Sequence, residues 1–205
     1  MKSGLAIIDS GGANIASLQM AVERLGVAAD LTTDPERLRS ASHVILPGVG
    51  AAADCMARLK QAGLVATIRE LTQPLLGICV GMQLLFESSE EGDVACLGLL
   101  PGRVRRLPVR EGLPVPHMGW NQLEVNNTVP LLNEIPSGDY VYFVHSYAAP
   151  VSALTLAATT YGEPFSAVVR RGNVHGAQFH PERSARPGAQ LLKNFLQLDT
   201  AKSAI

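Results

Sequence analysis

Over its first half the chain alternates short apolar runs with segments whose apolar residues return every three or four positions. The first pattern marks strands buried on both faces, the second helices with one buried face. GLAIID predicts a first strand. It feeds ANIASLQMAVERLG, where Ile15, Leu18, Val22 and Leu25 share a helical face and Gly26 stands where a helix ends. VAADL predicts a short strand, and DPERL predicts a helix start with Asp34 as N-cap and Pro35 in the first turn. HVILPGVG predicts a buried strand running into a glycine turn; one helical stretch is then expected from Ala51 to about Leu71, and PLLGI is the next strand.

From about residue 98 proline and glycine become frequent, and GRVRRLPV, NQLEV, YVYFVHSYA and LTLAATTY read as strands with little helix between them. Such a stretch suits the antiparallel half of a mixed sheet. FSAVVRRGNVHGAQFH reads as a hairpin turning at RGN, GAQLLKNFLQL as a closing helix with Leu191, Leu192, Phe195 and Leu196 on one face, and DTAKSAI as a loose tail. The expectation is an α/β fold: a single three-layer αβα domain over residues 1–205, with an open, mixed, mostly parallel sheet flanked by helices.

Composition narrows the picture. With 47% hydrophobic and 17% charged residues in 205, a packed core is expected. A formal charge of -1, from 17 basic and 18 acidic residues without like-charge blocks, nominates neither nucleic acid nor an anionic membrane as partner. The apolar run near the start is shorter than a signal-peptide core or a membrane span, so a soluble, cytoplasmic protein is expected. Cys55, Cys79 and Cys96 are odd in number and widely spaced, which fits a reducing compartment rather than a disulfide framework or a zinc site. His43, His117, His145 and His175 form no metal-ligand pattern, His145 on the strand YFVHSY being expected to hydrogen-bond beside the site, and neither a G-x-G-x-x-G nor a Walker A sequence is present, so no metal or cofactor is expected.

One cysteine stands apart. Gly77-Ile78-Cys79-Val80-Gly81 has the spacing of a nucleophile elbow, the strand-to-helix turn that lifts a reactive side chain clear of a sheet. A helix beginning there favours thiolate and offers free N–H groups to a negative oxygen. The competing reading is an inert buried thiol, the commoner fate of a free cysteine and the one assigned to Cys55 and Cys96. Near the other end, GAQFHPERS places His180 before a proline, which disfavours the α region, so the chain there should be extended with His180 and Glu182 on one side. A carboxylate beside an imidazole fixes its tautomer and supports its protonated form, as a base serving a thiol requires. Alone, His-x-Glu is common on surfaces. LPGVG ends a strand with glycines; N–H groups from Val49 and Gly50, with that of Val80, would form an oxyanion hole, each donor being worth about 10²–10³ in rate.

GICVGMQ and FHPE together resemble the nucleophile and His/Glu signatures of the class I, triad-type glutamine amidotransferases. LPGVG, PHMGWN at 116–121 and YFVHSY at 142–147 resemble, within them, the glutaminase subunits of imidazole glycerol phosphate synthases. Met82, where sister enzymes often carry histidine, agrees, and the resemblance runs from Leu5 to Leu198. It implies a flavodoxin-like fold, hydrolysis of L-glutamine by Cys79, His180 and Glu182, and ammonia passed to a cyclase subunit of (β/α)8 barrel fold in a heterodimer. By motif position it implies glutamine binding by Gly50, Gln83, Glu91, Ser146 and Tyr147, with the neighbouring Glu90 an alternative to Glu91. Asn14, Trp120, Tyr142 and Arg183 take partner-facing positions, although Trp120 and Tyr142 read equally as core and Arg183 as solvated. The loop DSGGANIAS departs from the family form, with Ser10 where an aromatic is usual and Ala13 where glycine is usual. Left open are a glutaminase serving another synthase, such as those for anthranilate or GMP, a Cys-His peptidase or deglycase-like protein, and a noncatalytic binding module.

Overall fold

Leu5–Ile8, no residue of it more than 2% exposed, can only be an interior strand, and it is hydrogen-bonded on both sides. In the computed structural model, which describes residues 4–11, 15–126 and 128–199, this is β1 of a central sheet. The first half continues with α1 (Ile15–Glu23), β2 (Ala29–Thr32), α2 (Pro35–Ser40), β3 (His43–Gly48), α3 (Ala52–Gln61), α4 (Leu64–Glu70), β4 (Leu75–Cys79) and α5 (Val80–Leu84). Asp34 caps α2 as its position predicts, Oδ1 accepting from the Glu36 N–H at 2.9 Å. The single helix expected from Ala51 to Leu71 is instead two, because Gly63 at φ +68° takes the left-handed conformation between α3 and α4.

Among the described residues ten strands follow, several of them very short: β5 (Ser88–Ser89), β6 (Val94–Ala95), β7 (Arg103–Arg106), β8 (His117–Gln122), β9 (Glu124–Val125), β10 (Tyr140–His145), β11 (Tyr147–Ala148), β12 (Thr155–Tyr161), β13 (Glu163–Arg171) and β14 (Val174–Ala177); α6 (Ala185–Leu196) closes the described chain. The large sheet runs β2-β1-β3-β4-β14-β13-β12-β9, parallel from β2 to β14 and antiparallel beyond. The expected hairpin is β13–β14, turning at Gly172 and Asn173.

Not all of the later strands join that sheet, which corrects the expectation. β8 and β10 pair as a two-stranded ribbon, and β11-β7-β5-β6 form a small separate sheet. Burial explains the division: β12 and β13 carry five-residue stretches buried on both faces, whereas β7 buries only Val104 and β8 and β10 alternate buried with exposed or half-buried positions. The inward face of the ribbon carries Phe143, which meets Phe165 of β13 edge-on at 5.5 Å and Phe179 at 6.0 Å.

Helix placement follows from connection handedness. The chain steps from β1 to β2 in one direction and from β2 through β3 to β4 in the other, so right-handed crossovers put α1 on the opposite face from α2, α3 and α4. Between the carboxyl ends of β3 and β4, Gly48 lies opposite Cys79 in the register. Ligands of open α/β sheets bind outside such strand ends.

Candidate active site

Three glycines make the Cys79 turn possible by letting backbones touch. A Cβ on Gly77 would lie 2.7 Å from the Gly81 carbonyl oxygen, one on Gly48 would lie 2.5 Å from the Gly81 nitrogen, and one on Gly81 would overlap the Leu46 carbonyl. Cys79 itself sits at φ 54°, ψ -114°, a conformation that costs a side-chain-bearing residue of order 1–3 kcal/mol. The elbow spacing thus folds as an elbow. The helix that follows is only five residues long, so its dipole is small and the groups beside the sulfur matter the more.

The chief neighbour is His180. Its N–H donates to the Tyr142 carbonyl at 3.0 Å, and the Ser184 hydroxyl donates to the His180 carbonyl at 2.7 Å while accepting from the Tyr142 N–H at 2.9 Å. His180 is extended, but residues Pro181–Arg183 form a 3-10 turn rather than the extended chain expected from Pro181. The turn, not strand alternation, brings Glu182 back: Oε1 lies 2.9 Å from His180 Nδ1, with the two side chains 2% and 8% exposed. A carboxylate oxygen only accepts, so Nδ1 carries a hydrogen and Nε2 is left for sulfur. Burial alone would lower the His180 pKa; hydrogen bonds to Cys79 and Glu182 and their negative charges outweigh it and push it up to about 10. An imidazolium against the sulfur supports a thiolate. Gln178, buried two residues before His180, turns Nε2 toward the same sulfur at 3.8 Å.

Cys79 and His180 open onto a cavity of about 440 Å³, within the range of small-molecule sites. Val49, Gly50 and Val80 line it beside the sulfur, as do Gln83, Glu91, Ser146 and Tyr147 of the expected glutamine-binding set. The two adjacent glutamates separate cleanly. Glu91 faces the cavity and its Oε2 accepts from the Ala52 N–H at 2.8 Å, while Glu90 turns to β7, accepting from the Arg106 N–H at 2.9 Å. Gln83 donates to the Tyr147 carbonyl at 2.8 Å and to Gln178 Oε1 at 3.1 Å.

Two side chains tie down the loop that would supply the oxyanion donors. The buried Ser10 hydroxyl donates to the Pro47 carbonyl at 2.8 Å, which gives the departure at position 10 a definite contact. The Cys55 thiol donates to the Val49 carbonyl at 3.4 Å; burial pushes its pKa up, against the opposing effect of Arg58 3.3 Å away, so it keeps its proton.

Of the four positions expected to face a partner, Asn14 lies outside the described residues. The other three form a cluster. Trp120 is 52% exposed and meets the half-buried Tyr142 edge-on at 5.8 Å, and the Arg183 guanidinium lies 4.5 Å over the Tyr142 ring. The core alternative for Trp120 is thereby excluded. Arg183 also lines the cavity, so this cluster adjoins its rim. His145 lies on a strand beside the cavity and hydrogen-bonds to the Tyr147 carbonyl, as expected, whereas sequence reasoning missed Gln178 and Ser184. Gln178 was within reach, since two-residue spacing from His180 in near-extended chain puts both on one side; for Ser184 no sequence signal exists.

The class-I glutamine amidotransferase family profile matches residues 6–198. An imidazole glycerol phosphate synthase subunit HisH of Xylella fastidiosa (strain Temecula1) is 55% identical over 197 residues, covering 96% of this chain and 98% of that one. The protein of the same description from Xanthomonas axonopodis pv. citri (strain 306) is 57% identical over 194 residues, covering 95% and 97%. A crystal structure of a glutamine amidotransferase superimposes with TM-score 0.73 at 22% identity, covering 94% of this chain and 97% of that one, a likeness of fold. Relatives more than half identical along nearly their whole length, and a family profile that spans both the elbow and the His/Glu pair, leave one assignment: the chain belongs to the class-I glutamine amidotransferases.

Proposed function

We propose that this chain is the glutaminase subunit of an imidazole glycerol phosphate synthase, one domain over residues 1–205 acting in the cytoplasm in histidine biosynthesis. The observation that carries the chemistry is a cysteine on a strained elbow, facing a ligand-sized cavity, with an imidazolium held against it by a buried carboxylate. The choice among synthases rests on relatives 55% and 57% identical that bear that enzyme's name.

The Cys79 thiolate attacks the side-chain amide carbon of L-glutamine, and the carbonyl π electrons move to oxygen. That oxyanion is held by the Val80 N–H and by N–H groups of the Val49–Gly50 segment. As the tetrahedral adduct collapses, the C–N bond breaks and the His180 imidazolium protonates the departing ammonia, leaving a γ-glutamyl thioester. Neutral His180 then takes a proton from water, hydroxide adds to the thioester carbon, and the C–S bond breaks, freeing glutamate, whose acid proton passes to solvent, and leaving the Cys79 thiolate beside protonated His180 as the resting pair. Glu182 holds the ring in the tautomer that serves both steps. Glutamine is bound by Gly50, Gln83, Glu91, Ser146 and Tyr147.

The ammonia passes to a cyclase subunit, a (β/α)8 barrel docked in a heterodimer. Supporting a docking face here are Met118, Trp120 and Tyr140, all more than half exposed on one face of the β8–β10 ribbon, next to Tyr142 and Arg183 at the cavity rim. Large exposed apolar side chains gathered on one face mark interaction surfaces. Glutamine hydrolysis without the partner would waste ammonia, so the chain alone is expected to be a poor glutaminase. The test is glutamate release by the chain alone, with the cyclase, and with the cyclase and its ligand. A rise along that series supports the assignment; equal rates in all three, or none in any, defeat it.

A further inference from the structure

Between the exposed ribbon and the cavity lies a line of buried polar groups that the chemistry above does not use. His117 of β8 and His145 of β10 are cross-strand partners on the ribbon's inner face, 3% and 6% exposed. Their hydrogens can be placed one after another. The Tyr147 carbonyl only accepts, so the 2.8 Å bond from His145 Nδ1 puts a hydrogen there and, in a neutral ring, leaves Nε2 bare. His117 Nδ1, 3.1 Å from that bare nitrogen, must donate to it. His117 Nε2 then accepts from Asn121 Nδ2 at 3.4 Å. Asn121 cannot be turned round, because Nδ2 also donates to the Thr160 carbonyl at 3.0 Å and Oδ1 accepts from the Gln122 N–H at 2.8 Å. Burial keeps both rings neutral, lowering His117 to about 4 and, with smaller contributions from its surroundings, His145 to about 3.

The line continues into the site. The Tyr147 carbonyl takes a second hydrogen from Gln83 Nε2, whose other hydrogen goes to Gln178 Oε1, and Gln178 Nε2 reaches the Cys79 sulfur. With both its hydrogens committed, Gln83 has only Oε1 to offer a ligand in the cavity it lines. That oxygen is buried and without a partner among the described residues.

We propose that His117 is a positioning residue of the glutamine site, acting through His145 and the Tyr147 carbonyl to hold the Gln83 amide where its Oε1 meets substrate. The proposal rests on reading the cavity as a glutamine site. If His117 is lost, the buried His145 Nε2 has no donor and the ring shifts to find one, drawing the Tyr147 carbonyl, and with it the Gln83 amide, out of place for the ligand. The loss falls on binding, since His117 touches no reacting atom.

His117→Phe keeps the ring stacked on Phe143 and Tyr161, now at 4.9 and 4.0 Å, but has no N–H. His117→Asn puts an amide N–H about where Nδ1 stood. Glutamine hydrolysis is measured for each full-length variant with the cyclase partner, and imidazole ¹⁵N–¹H correlation spectra report the tautomers. Expected are a rise in KM for glutamine on the order of tenfold in His117→Phe with kcat little changed, and recovery in His117→Asn. Wild-type spectra should show both rings protonated on Nδ1, with the His145 signal shifted in His117→Phe. An unchanged KM in His117→Phe, a loss confined to kcat, or His145 protonated on Nε2 in the wild type would overturn the proposal. A wild type that hydrolyses no glutamine would instead sink the assignment of the cavity, and the spectra would still decide the tautomers. Should His117→Phe fail to fold, His117→Asn with wild-type kinetics supports the proposal only together with the expected wild-type tautomers, and the opposite tautomer ends it.

Discussion

Replacing Glu182 by glutamine removes a charge and almost no volume. In the wild type, His180 Nδ1 and Glu182 Oε1 are 2.9 Å apart and nearly solvent-free, so the bond joins two ions away from water. A hydrogen bond to a charged group contributes about 1.5–3 kcal/mol and a neutral one about 0.5–1.5 kcal/mol. The difference of about 1–2 kcal/mol corresponds to a roughly 5- to 30-fold loss in kcat/KM for glutamine. The pH profile is the sharper readout. Burial works against the imidazolium, while the contacts to Cys79 and Glu182 hold its pKa at about 10, above the ordinary 6.5. Without the carboxylate charge His180 gives up its proton at lower pH, so the alkaline limb of kcat/KM moves toward neutrality. Stability follows the same sign: a raised native pKa contributes stability that is complete below 6.5 and lost as pH rises toward about 10. The gap in Tm between wild type and Glu182→Gln should therefore be widest near or below pH 6.5 and close in strong alkali. A variant with wild-type kcat/KM and an unmoved alkaline limb would refute the assignment of Glu182 as the group that sustains the imidazolium.

Gly77→Ala forces a Cβ to within 2.7 Å of the Gly81 and Met82 backbone, an overpacking cost of about 1–3 kcal/mol that thermal unfolding should register as roughly 2–4 °C in Tm per kcal/mol. Cys79→Gly relieves the strain at φ 54° by about 1–3 kcal/mol against about 0.5–1 kcal/mol of added chain entropy, so it should melt above Cys79→Ala although both are inactive; the reverse order would mean the elbow is unstrained. Burial lowers His117 and His175 to about 4 and His145 to about 3, so these rings are neutral in the native chain and protonated when it unfolds. That stability is present above pH 6.5 and lost as pH falls toward 4, and urea midpoints should drop across that interval; a flat profile would show the rings to be solvated.

Much of the site was legible because its chemistry is written in local spacing. The glycines two positions either side of Cys79 announce the elbow, and packing between the carboxyl ends of β3 and β4 leaves no other way to fold it. His180 and Glu182 could be paired from sequence, though through the wrong backbone geometry: preference for extended chain before Pro181 said nothing of the 3-10 turn that makes the contact. What sequence could not reach depends on long-range partners. The break at Gly63 hides in a helical period that runs through it, and the departure of β7, β8, β10 and β11 from the large sheet depends on which strands win its buried positions. The strand YFVHSY gave His145 a hydrogen-bonding place beside the site, but not its contact with His117, 28 residues earlier in the chain.

The central claim is that one sulfur atom of three does the chemistry. All three thiols are buried; burial raises the pKa of Cys55 and that of Cys96, the latter to about 11, whereas Cys79 meets the His180 imidazolium where both line the cavity. The most direct measurement is to treat the chain, with its cyclase partner, with a diazo-ketone analogue of glutamine and map the adduct by peptide mass spectrometry. The account predicts one adduct per chain, on Cys79, formed in step with loss of glutaminase activity and slowed by glutamine. An adduct on Cys55 or Cys96, or full inactivation with Cys79 unmodified, would contradict it.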